Sequence, residues 1–437
     1  MLKRFRQGRW WVGAGAIFLL AFSVLLTPGV ASAASTPVTG GGSSFAFPEI
    51  QQWIADEPSL PVNYADSSSE VGRFSYAAGA LQYGASDLPY TANDGNAETQ
   101  AQTQHPFVYV PISAAGLAFA FNVEINGTPV TGLNLTQQDV CQIFTGAINN
   151  WDQLAGTPGD EALAGVNQPI TVVTRSDGAG ESYVLSQYCL AVDPTDWGTF
   201  RTYVLGNEAA EGAAGWAGDA NLAAGLPIEN WPPVLEGGDA AVQENGAAAD
   251  VNAVENPNNG FSIGYMAAPY AITARLPMAS VENAAGDFLQ PNATSVQDAL
   301  AYAEANSLGT FDLNFTGSDP NAYFPATYSY VIAPTTTNAP TSAGADATLA
   351  QFLCYAVGAG QNQAASLLYA PLSQQVTAIS VNAIEQIPGA PPASSCGTTT
   401  PPAQLPEFPY PALALIPPVA ALGVAFWWRR RGSYAQH

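Results

Sequence analysis

One of the few basic residues in the centre of this sequence lies beside a flexible turn that precedes a predicted helix. The stretch reads RSDGAGES, from Arg175 to Ser182, and it follows a strand predicted at residues 170–174. A guanidinium group forms charge-assisted and often bidentate hydrogen bonds with an oxyanion. The free N–H groups at the start of a helix also attract anions. We therefore expect Arg175 and the following helix start to bind an anion.

Basic residues are scarce in the body of the chain. The protein has 437 residues and 11 Lys or Arg, yet the segment between residues 10 and 428 has only Arg73, Arg175, Arg201 and Arg275. The same segment contains all 35 Asp and Glu residues, which leaves it with a net charge of −31. A surface of this sign repels polyanions, so we expect neither nucleic acid nor anionic lipid as a partner.

Two further predicted helix starts have the same pattern of a strand, a turn of small residues and a helix. One lies at Ser44, and the other lies at Ser69 within a predicted capping box formed by Ser67 and Glu70. If these two helix starts converge with the one at Gly180, they can bind an oxyanion without lysine.

The alternation of strand-like and helical runs predicts an α/β protein. The chain is too long for one small domain, so we expect two lobes. Arg73 falls on the helix after Ser69, and we expect it in solvent. We expect Trp53, Trp151 and Trp197 in the core or at its rim rather than in a sugar-binding site.

Both ends of the chain combine basic residues with an apolar run. Residues 1–33 have a basic start, an apolar run and the sequence Ala-Ser-Ala, which indicates a secretory signal peptide; an uncleaved anchor is the alternative. Residues 408–428 carry no charge and precede three arginines, which predicts a transmembrane helix and a cytoplasmic tail at residues 429–437. Residues 388–407 are rich in Pro, Ser and Thr and predict a stalk. We therefore expect the protein on the extracellular face of the cytoplasmic membrane.

The cysteine pattern predicts disulfides rather than a metal site. Four cysteines in an exported chain indicate two disulfides, for which three pairings exist. We favour Cys141 with Cys189 and Cys354 with Cys396. No pair has C-x-x-C spacing and the chain has two histidines, so we expect no metal. The sequence also lacks a recognisable activated nucleophile, and we expect neither an enzyme nor a cofactor.

Seven short stretches, in this order, resemble the phosphate-specific substrate-binding proteins of ABC importers. They cover roughly residues 39–388 and read GGGSSF (40–45), VNY (62–64) continuing to residue 69, YGASDLP (83–89), IFTG (143–146) with NW (150–151), VVTR (172–175) continuing to residue 182, GFSIGY (260–265) and YAPL (369–372). The resemblance implies a two-lobed periplasmic-binding-protein fold of type II with a ligand cleft between its lobes. Lobe I would contain residues 34–112 and 259–387, and lobe II residues 113–258. The chain would be a membrane-tethered receptor that delivers inorganic phosphate to the permease subunits of an importer.

The resemblance also implies a set of residues around the phosphate: Ser44, Phe45, Ser69, Asp87, Arg175, Asp177, Gly180 and Glu181. The hydroxyl groups of the serines and the backbone N–H groups of Phe45, Gly180 and Glu181 would donate to the ligand. Asp177 would orient Arg175. Asp87 would accept the proton of a protonated phosphate and reject sulfate, which has no proton to offer.

The chain departs from this family at two positions of the predicted site. Ala179 stands where the family usually has serine, and Glu181 where it usually has threonine. Glu181 points to solvent, or lies in the cleft as a second proton acceptor, or abolishes phosphate binding. The last case would leave a surface-displayed interaction or adhesion protein, which is the alternative function.

Overall fold

The computed structural model describes residues 35–91, 94–211, 216 and 218–396. The predicted signal peptide, transmembrane helix and cytoplasmic tail lie outside these residues, as does the predicted stalk from residue 397 onward. Within the described part of the chain, no helix is long and apolar enough to cross a membrane.

The strands and helices alternate along the chain, as expected for an α/β protein. The strands are β1 (Val38–Gly42), β2 (Val62–Asp66), β3 (Tyr83–Ser86), β4 (Phe107–Asn122), β5 (Glu124–Ile125), β6 (Thr128–Pro129), β7 (Asn134–Leu135), β8 (Thr171–Arg175), β9 (Val242–Glu244), β10 (Ser262–Ala267), β11 (Ser280–Glu282), β12 (Phe288–Leu289), β13 (Glu304–Ala305), β14 (Phe311–Asp312) and β15 (Ala326–Pro334). The α-helices are α1 (Phe47–Asp56), α2 (Ser69–Ala77), α3 (Ala97–Gln104), α4 (Gln137–Thr145), α5 (Gly180–Val192), α6 (Pro194–Glu211), α7 (Asp219–Ala224), α8 (Ala247–Glu255), α9 (Ala268–Ala274), α10 (Ala293–Leu300), α11 (Ala343–Val357) and α12 (Gln374–Ile384).

An eight-stranded sheet with the order β2-β1-β3-β15-β4-β10-β8-β9 organises the protein. Strand β4 is shared, because its residues 107–116 pair with β15 and its residues 117–122 pair with β10, both antiparallel. We call β2, β1, β3, β15 and residues 107–116 the β1 half, and residues 117–122 with β10, β8 and β9 the β8 half. The sequence predicts two strands at residues 107–112 and 117–122. This prediction is wrong, because the small residues 113–116 also pair with β15 and continue the strand.

The helix starts of the two halves face each other where the halves meet. Strand β1 is parallel to β2 and β3, and β8 is parallel to β9 and β10. Helices α1, α2 and α5 follow β1, β2 and β8, respectively. Strand β8 runs antiparallel to β1, and β4 runs from the β1 half into the β8 half, so the carboxyl ends of β1, β2 and β8 all point toward the boundary between the halves. The three helix starts therefore meet at this boundary, and open α/β sheets bind ligands outside the carboxyl ends of their strands.

The core and the disulfides agree with the sequence predictions. Trp53, Trp151 and Trp197 are buried in one hydrophobic core. One disulfide joins Cys141 on α4 to Cys189 on α5, and the second joins Cys354 on α11 to Cys396. Cys396 is itself buried and follows a 3-10 helix at Ala393–Ser395. The described residues of the predicted stalk therefore end against α11.

Candidate anion-binding site

Helix α2 begins at Ser69, and the predicted capping box of Ser67 and Glu70 does not form. The Ser68 side chain caps the helix by accepting the Val71 N–H at 3.3 Å. Ser67 remains bound to the strands, because its N–H donates to the Gly42 carbonyl at 3.1 Å. The Glu70 N–H donates to the Gly178 carbonyl at 3.0 Å instead. This contact crosses from the β1 half to the β8 half.

The turn before α1 directs Ser44 toward the other half of the protein. Helix α1 begins at Phe47, and the Ser43 hydroxyl, not that of Ser44, accepts an N–H at the helix start. The Ser44 hydroxyl is therefore available, and it donates to Glu181 Oε1 at 3.1 Å. The side chain of Phe45 is buried in the core, so only its backbone can face a ligand.

Arg175 ends strand β8 and is fully buried. Its Nε donates to Asp177 Oδ1 at 2.7 Å, and its Nη2 also contacts the Asp177 carboxylate. Its Nη1 lies 3.2 Å from both Ser44 Oγ and Glu181 Oε1. Asp177 thus fixes one edge of the guanidinium group, while the other edge faces the β1 half.

Three serine hydroxyls surround the buried carboxylate of Asp87. Ser43 and Ser329 donate to its Oδ1 at 2.6 and 2.5 Å, and Ser69 donates to its Oδ2 at 2.9 Å. Burial and the nearby Glu181 carboxylate raise the pKa of Asp87 to about 6, although the three serines act in the opposite direction. The carboxyl group can therefore hold or exchange a proton in mildly acidic solution.

Gly180 allows the start of α5 to approach Asp87 closely. A Cβ atom added to Gly180 would lie 2.2 Å from Asp87 Oδ2, so a larger residue would push the two halves apart. The N–H groups of the first turn of α5 are therefore next to the buried carboxylate. The structure brings all eight predicted site residues to this one place, although their contact with a ligand remains a prediction.

Glu181 is buried in the site and does not point to solvent. Its side chain is 1% exposed and receives hydrogen bonds from Ser44 and Arg175. Of the three possibilities that the sequence leaves open, the outward orientation of Glu181 is therefore wrong, and the other two remain. The helix geometry explains this, because Glu181 lies in the first turn of α5, on the side that faces the β1 half.

Several residues of the site could not be recognised from the sequence. Ser329 lies within the apolar strand β15, and its distance along the chain from Asp87 is 242 residues. Asp250 is buried in α8 with its Oδ2 3.9 Å from Arg175 Nε, and neither carboxylate oxygen has a hydrogen-bond partner among the described residues. Tyr270 donates to the Ser44 carbonyl at 2.9 Å. Ser43, which donates to Asp87, is the one additional site residue that the sequence could have indicated, because it adjoins Ser44 in the glycine-rich turn.

A second arginine cluster lies between the same two halves. The prediction that Arg73 lies in solvent is wrong, because Arg73 is fully buried. It donates to both oxygens of Asp94 at 3.1 and 3.0 Å, to Ser86 at 3.0 Å and to Glu229 at 2.6 Å. Glu229 belongs to the β8 half, since its carbonyl accepts the Ala179 N–H at 3.0 Å. Burial raises the pKa of Glu229 to about 7, against the effect of Arg73.

A surface cavity elsewhere has no groups suited to an anion. Its volume is about 660 Å³, and Gln297, Tyr328 and Gln374 are among its lining residues. No Asp, Glu, Lys or Arg lines this cavity. The described residues also contain no group of His, Cys, Asp and Glu side chains that could hold a metal ion.

Comparisons with known proteins agree with the fold and the sequence resemblance. A family model described as a PBP superfamily domain matches residues 28–359. The phosphate-binding protein PstS of Xylella fastidiosa is 27% identical over 349 residues, which cover 79% of this chain and 84% of that protein. The PstS of Pasteurella multocida is 27% identical over 351 residues, or 78% and 87% of the two chains.

Solved structures agree with the α/β architecture. A phosphate binding protein from Stenotrophomonas maltophilia superposes with a TM-score of 0.55 at 20% identity, over 83% of this chain and 99% of that chain. A high affinity periplasmic phosphate-binding protein bound with phosphate gives a TM-score of 0.57 at 16% identity, over 82% and 100% of the two chains. The predicted periplasmic-binding-protein-like fold and the resemblance to phosphate-specific binding proteins are thus confirmed.

Proposed function

Because this chain belongs to the PBP superfamily, we propose that it is a receptor that captures inorganic phosphate and delivers it to the permease subunits of an ABC importer. The observation that carries the proposal is the convergence of three helix starts on Arg175 and Asp87. Helix N-termini supply N–H donors and a favourable dipole, while Arg175 supplies the positive charge. The relatives that bear the name phosphate-binding protein support the same ligand.

We further propose that the two halves of the sheet are the lobes of a binding cleft. The lobe boundaries expected from the sequence, residues 34–112 with 259–387 and residues 113–258, match these halves except at residues 113–116, which pair with β15, and at β10, which pairs with β8. The hydrogen bond from Ser44 to Glu181 and that from the Glu70 N–H to the Gly178 carbonyl cross between the halves. Such polar contacts can break and re-form when lobes open and close around a ligand.

The chemistry of Asp87 favours phosphate over sulfate. A phosphate that carries a proton can donate a hydrogen bond to this carboxylate, whereas sulfate carries no proton above strongly acidic pH. A desolvated carboxylate next to sulfate would therefore be an uncompensated repulsion. Arg175, the hydroxyls of Ser44 and Ser69, and the N–H groups at the start of α5 would bind the remaining oxygens.

We propose that the receptor lies at the outer face of the cytoplasmic membrane; the sequence patterns of the chain ends and the disulfides support this location. An exported receptor with a cleaved signal peptide at residues 1–33 and a membrane helix at residues 408–428 would remain at the outer face of the cytoplasmic membrane. The disulfides of Cys141 with Cys189 and of Cys354 with Cys396 support an oxidising environment. A tethered receptor would not diffuse away from its importer.

The test is calorimetric titration of the full-length chain with phosphate and with sulfate, at about pH 7 and about pH 4.5. At about pH 7 we expect phosphate to bind at least ~100-fold more tightly than sulfate, which corresponds to about 2.8 kcal/mol. At about pH 4.5 the difference should be smaller, because Asp87, with its pKa raised to about 6, then carries a proton. Similar affinities for the two anions at about pH 7 would contradict the assigned role of Asp87. Binding of neither anion to a folded sample would contradict the receptor function.

A second candidate function is a surface-displayed interaction or adhesion protein that has lost phosphate binding. The inward orientation of Glu181 favours this candidate, because a carboxylate receives the hydrogen bonds of Ser44 and Arg175. The same titration separates the two functions, since this candidate predicts no phosphate binding at either pH.

A further inference from the structure

The Glu181 carboxylate uses donors that a bound anion would need. Its Oε1 accepts hydrogen bonds from Ser44 Oγ at 3.1 Å and from Arg175 Nη1 at 3.2 Å. Ser44 belongs to the β1 half and Arg175 to the β8 half. The carboxylate therefore joins the two halves in the way in which a ligand held between two lobes would join them.

The charges around Glu181 are mostly of its own sign. Besides the hydroxyl of Ser44, the titratable and charged groups that face it from the surrounding elements are Arg175 of β8, Asp177 after β8, Asp87 after β3, Asp66 at the end of β2, Asp250 of α8, Tyr270 of α9 and Tyr369 after the 3-10 helix at Ala359–Leu367. One guanidinium group is therefore surrounded by several carboxylates. Addition of a phosphate to the same place is unfavourable unless a negative charge is removed.

We propose that Glu181 is an internal anion that competes with phosphate for Ser44 and Arg175. Phosphate binds tightly only after this carboxylate has gained a proton or has turned away from the two donors. This inference rests on the proposed function and adds to it a residue that sets the dependence of binding on pH.

The direction of the effect follows from proton linkage. Phosphate binding that requires a proton on Glu181 takes up protons from solution, so a fall in pH strengthens it. Asp87 adds a separate pH dependence, because its pKa is raised to about 6, and phosphate itself gains a proton in the same range. The contribution of Glu181 is therefore the difference between the wild type and a variant that lacks this charge.

The experiment compares the full-length wild type with Glu181→Gln, which has the same shape without the charge. Phosphate affinity is measured by calorimetry at about pH 7.5 and about pH 5, in two phosphate-free buffers with different heats of ionisation. We expect Glu181→Gln to bind phosphate ~10-fold more tightly than the wild type at about pH 7.5, and within ~3-fold of it at about pH 5. The wild type should take up more protons per phosphate bound. The matched control is Glu255→Gln, because Glu255 is exposed in the same half, and it should behave as the wild type.

The outcomes separate this inference from the proposed function. If the wild type binds phosphate and Glu181→Gln binds it equally or less tightly at about pH 7.5, the competition is refuted and the receptor function remains. If the wild type and every variant fail to bind at both pH values, the receptor function itself is refuted. Should Glu181→Gln not fold, Glu181→Asp withdraws the carboxylate from Ser44 and should also strengthen binding; a weakening would overturn the proposal.

Discussion

Arg73 and Arg175 occupy similar places but have different surroundings. Both are fully buried between the two halves of the sheet, and both contact carboxylates from more than one element. The donors of Arg73 reach Asp94, Glu229 and Ser86. In contrast, one edge of Arg175 reaches Ser44 and Glu181, which lie at helix starts suited to an anion. The two buried arginines thus differ in their partners: Arg73 contacts Glu229 and Ser86, whereas Arg175 contacts two residues at helix starts.

The largest effect on stability is expected when Arg73 is replaced, because Arg73 links Asp94 to Glu229 of the other half. Arg73→Met leaves the carboxylates of Asp94 and Glu229 buried without their cation, which should lower the free energy of unfolding by about 3–5 kcal/mol. Urea denaturation at neutral pH measures this loss. Arg275→Gln is the control, because Arg275 is exposed and should change stability by less than about 0.5 kcal/mol. A loss below about 1 kcal/mol for Arg73→Met would show that the ion pairs of Arg73 do not stabilise the folded protein.

The next effect concerns ligand affinity rather than stability. Arg175→Lys keeps the positive charge but removes the planar guanidinium group. That group contacts Asp177 with one edge and Ser44 and Glu181 with the other. Phosphate affinity should fall ~10- to 100-fold, which is about 1.4–2.8 kcal/mol. Arg73→Lys, in the other cluster, should leave the affinity within ~3-fold of the wild type. Equal losses in the two lysine variants, measured by calorimetry, would mean that both arginines act on the ligand in the same way.

A smaller effect is expected at Glu229, the second carboxylate that pairs with Arg73 besides Asp94. Because the pKa of Glu229 is raised from its usual value to about 7, the folded protein holds this proton to higher pH than the unfolded chain does. This group therefore stabilises the folded state most at low pH, and that stability is lost as the pH rises from about 4.5 to about 7.

Glu229→Gln should weaken this dependence and cost about 1 kcal/mol or less at neutral pH, because Arg73 keeps Asp94 as its partner. Denaturation at a series of pH values provides the measurement. An unchanged pH profile would show that another group carries the dependence.

The smallest effect is expected at Asp87. Ser329→Ala removes a hydrogen bond that stabilises the ionised carboxylate and should raise the pKa of Asp87 further. Asp87 then stays protonated to higher pH, so discrimination against sulfate should begin at a higher pH than in the wild type, by ~0.5 unit. The ratio of phosphate to sulfate affinity as a function of pH measures this shift. Ser366→Ala, at an exposed position, should leave the ratio unchanged.

Local features of the structure could be predicted from the sequence. Thr136 and Asp139, which are three residues apart, form a capping box, and Gly146 ends helix α4 in the left-handed conformation. The segment from Arg175 to Gly180 forms the expected end of a strand, turn and helix start. These features depend on residues a few positions apart, whose hydrogen bonds and backbone preferences are the same in most folds.

Contacts between distant segments could not be predicted in this way. The partners of Arg73 include Glu229, which is 156 residues away in the chain, and the partners of Asp87 include Ser329. Nothing near Arg73 in the sequence indicates burial, because its carboxylate partners come from other elements. The continuous strand β4 likewise depends on β15, whose pairing spans the residues where the sequence suggests a break.

The sequence alone determined the α/β class, the shortage of basic residues, the number of cysteines available for disulfides and the presence of a helix start after β8. These are properties of composition and of neighbours along the chain. Only the tertiary structure decided that Arg73 is a cross-link and that Glu181 faces Arg175 instead of water. The physical reason is that residue type decides only whether a side chain can carry a charge. Whether that charge meets solvent, a partner or a ligand is set by the packing of the two halves against each other.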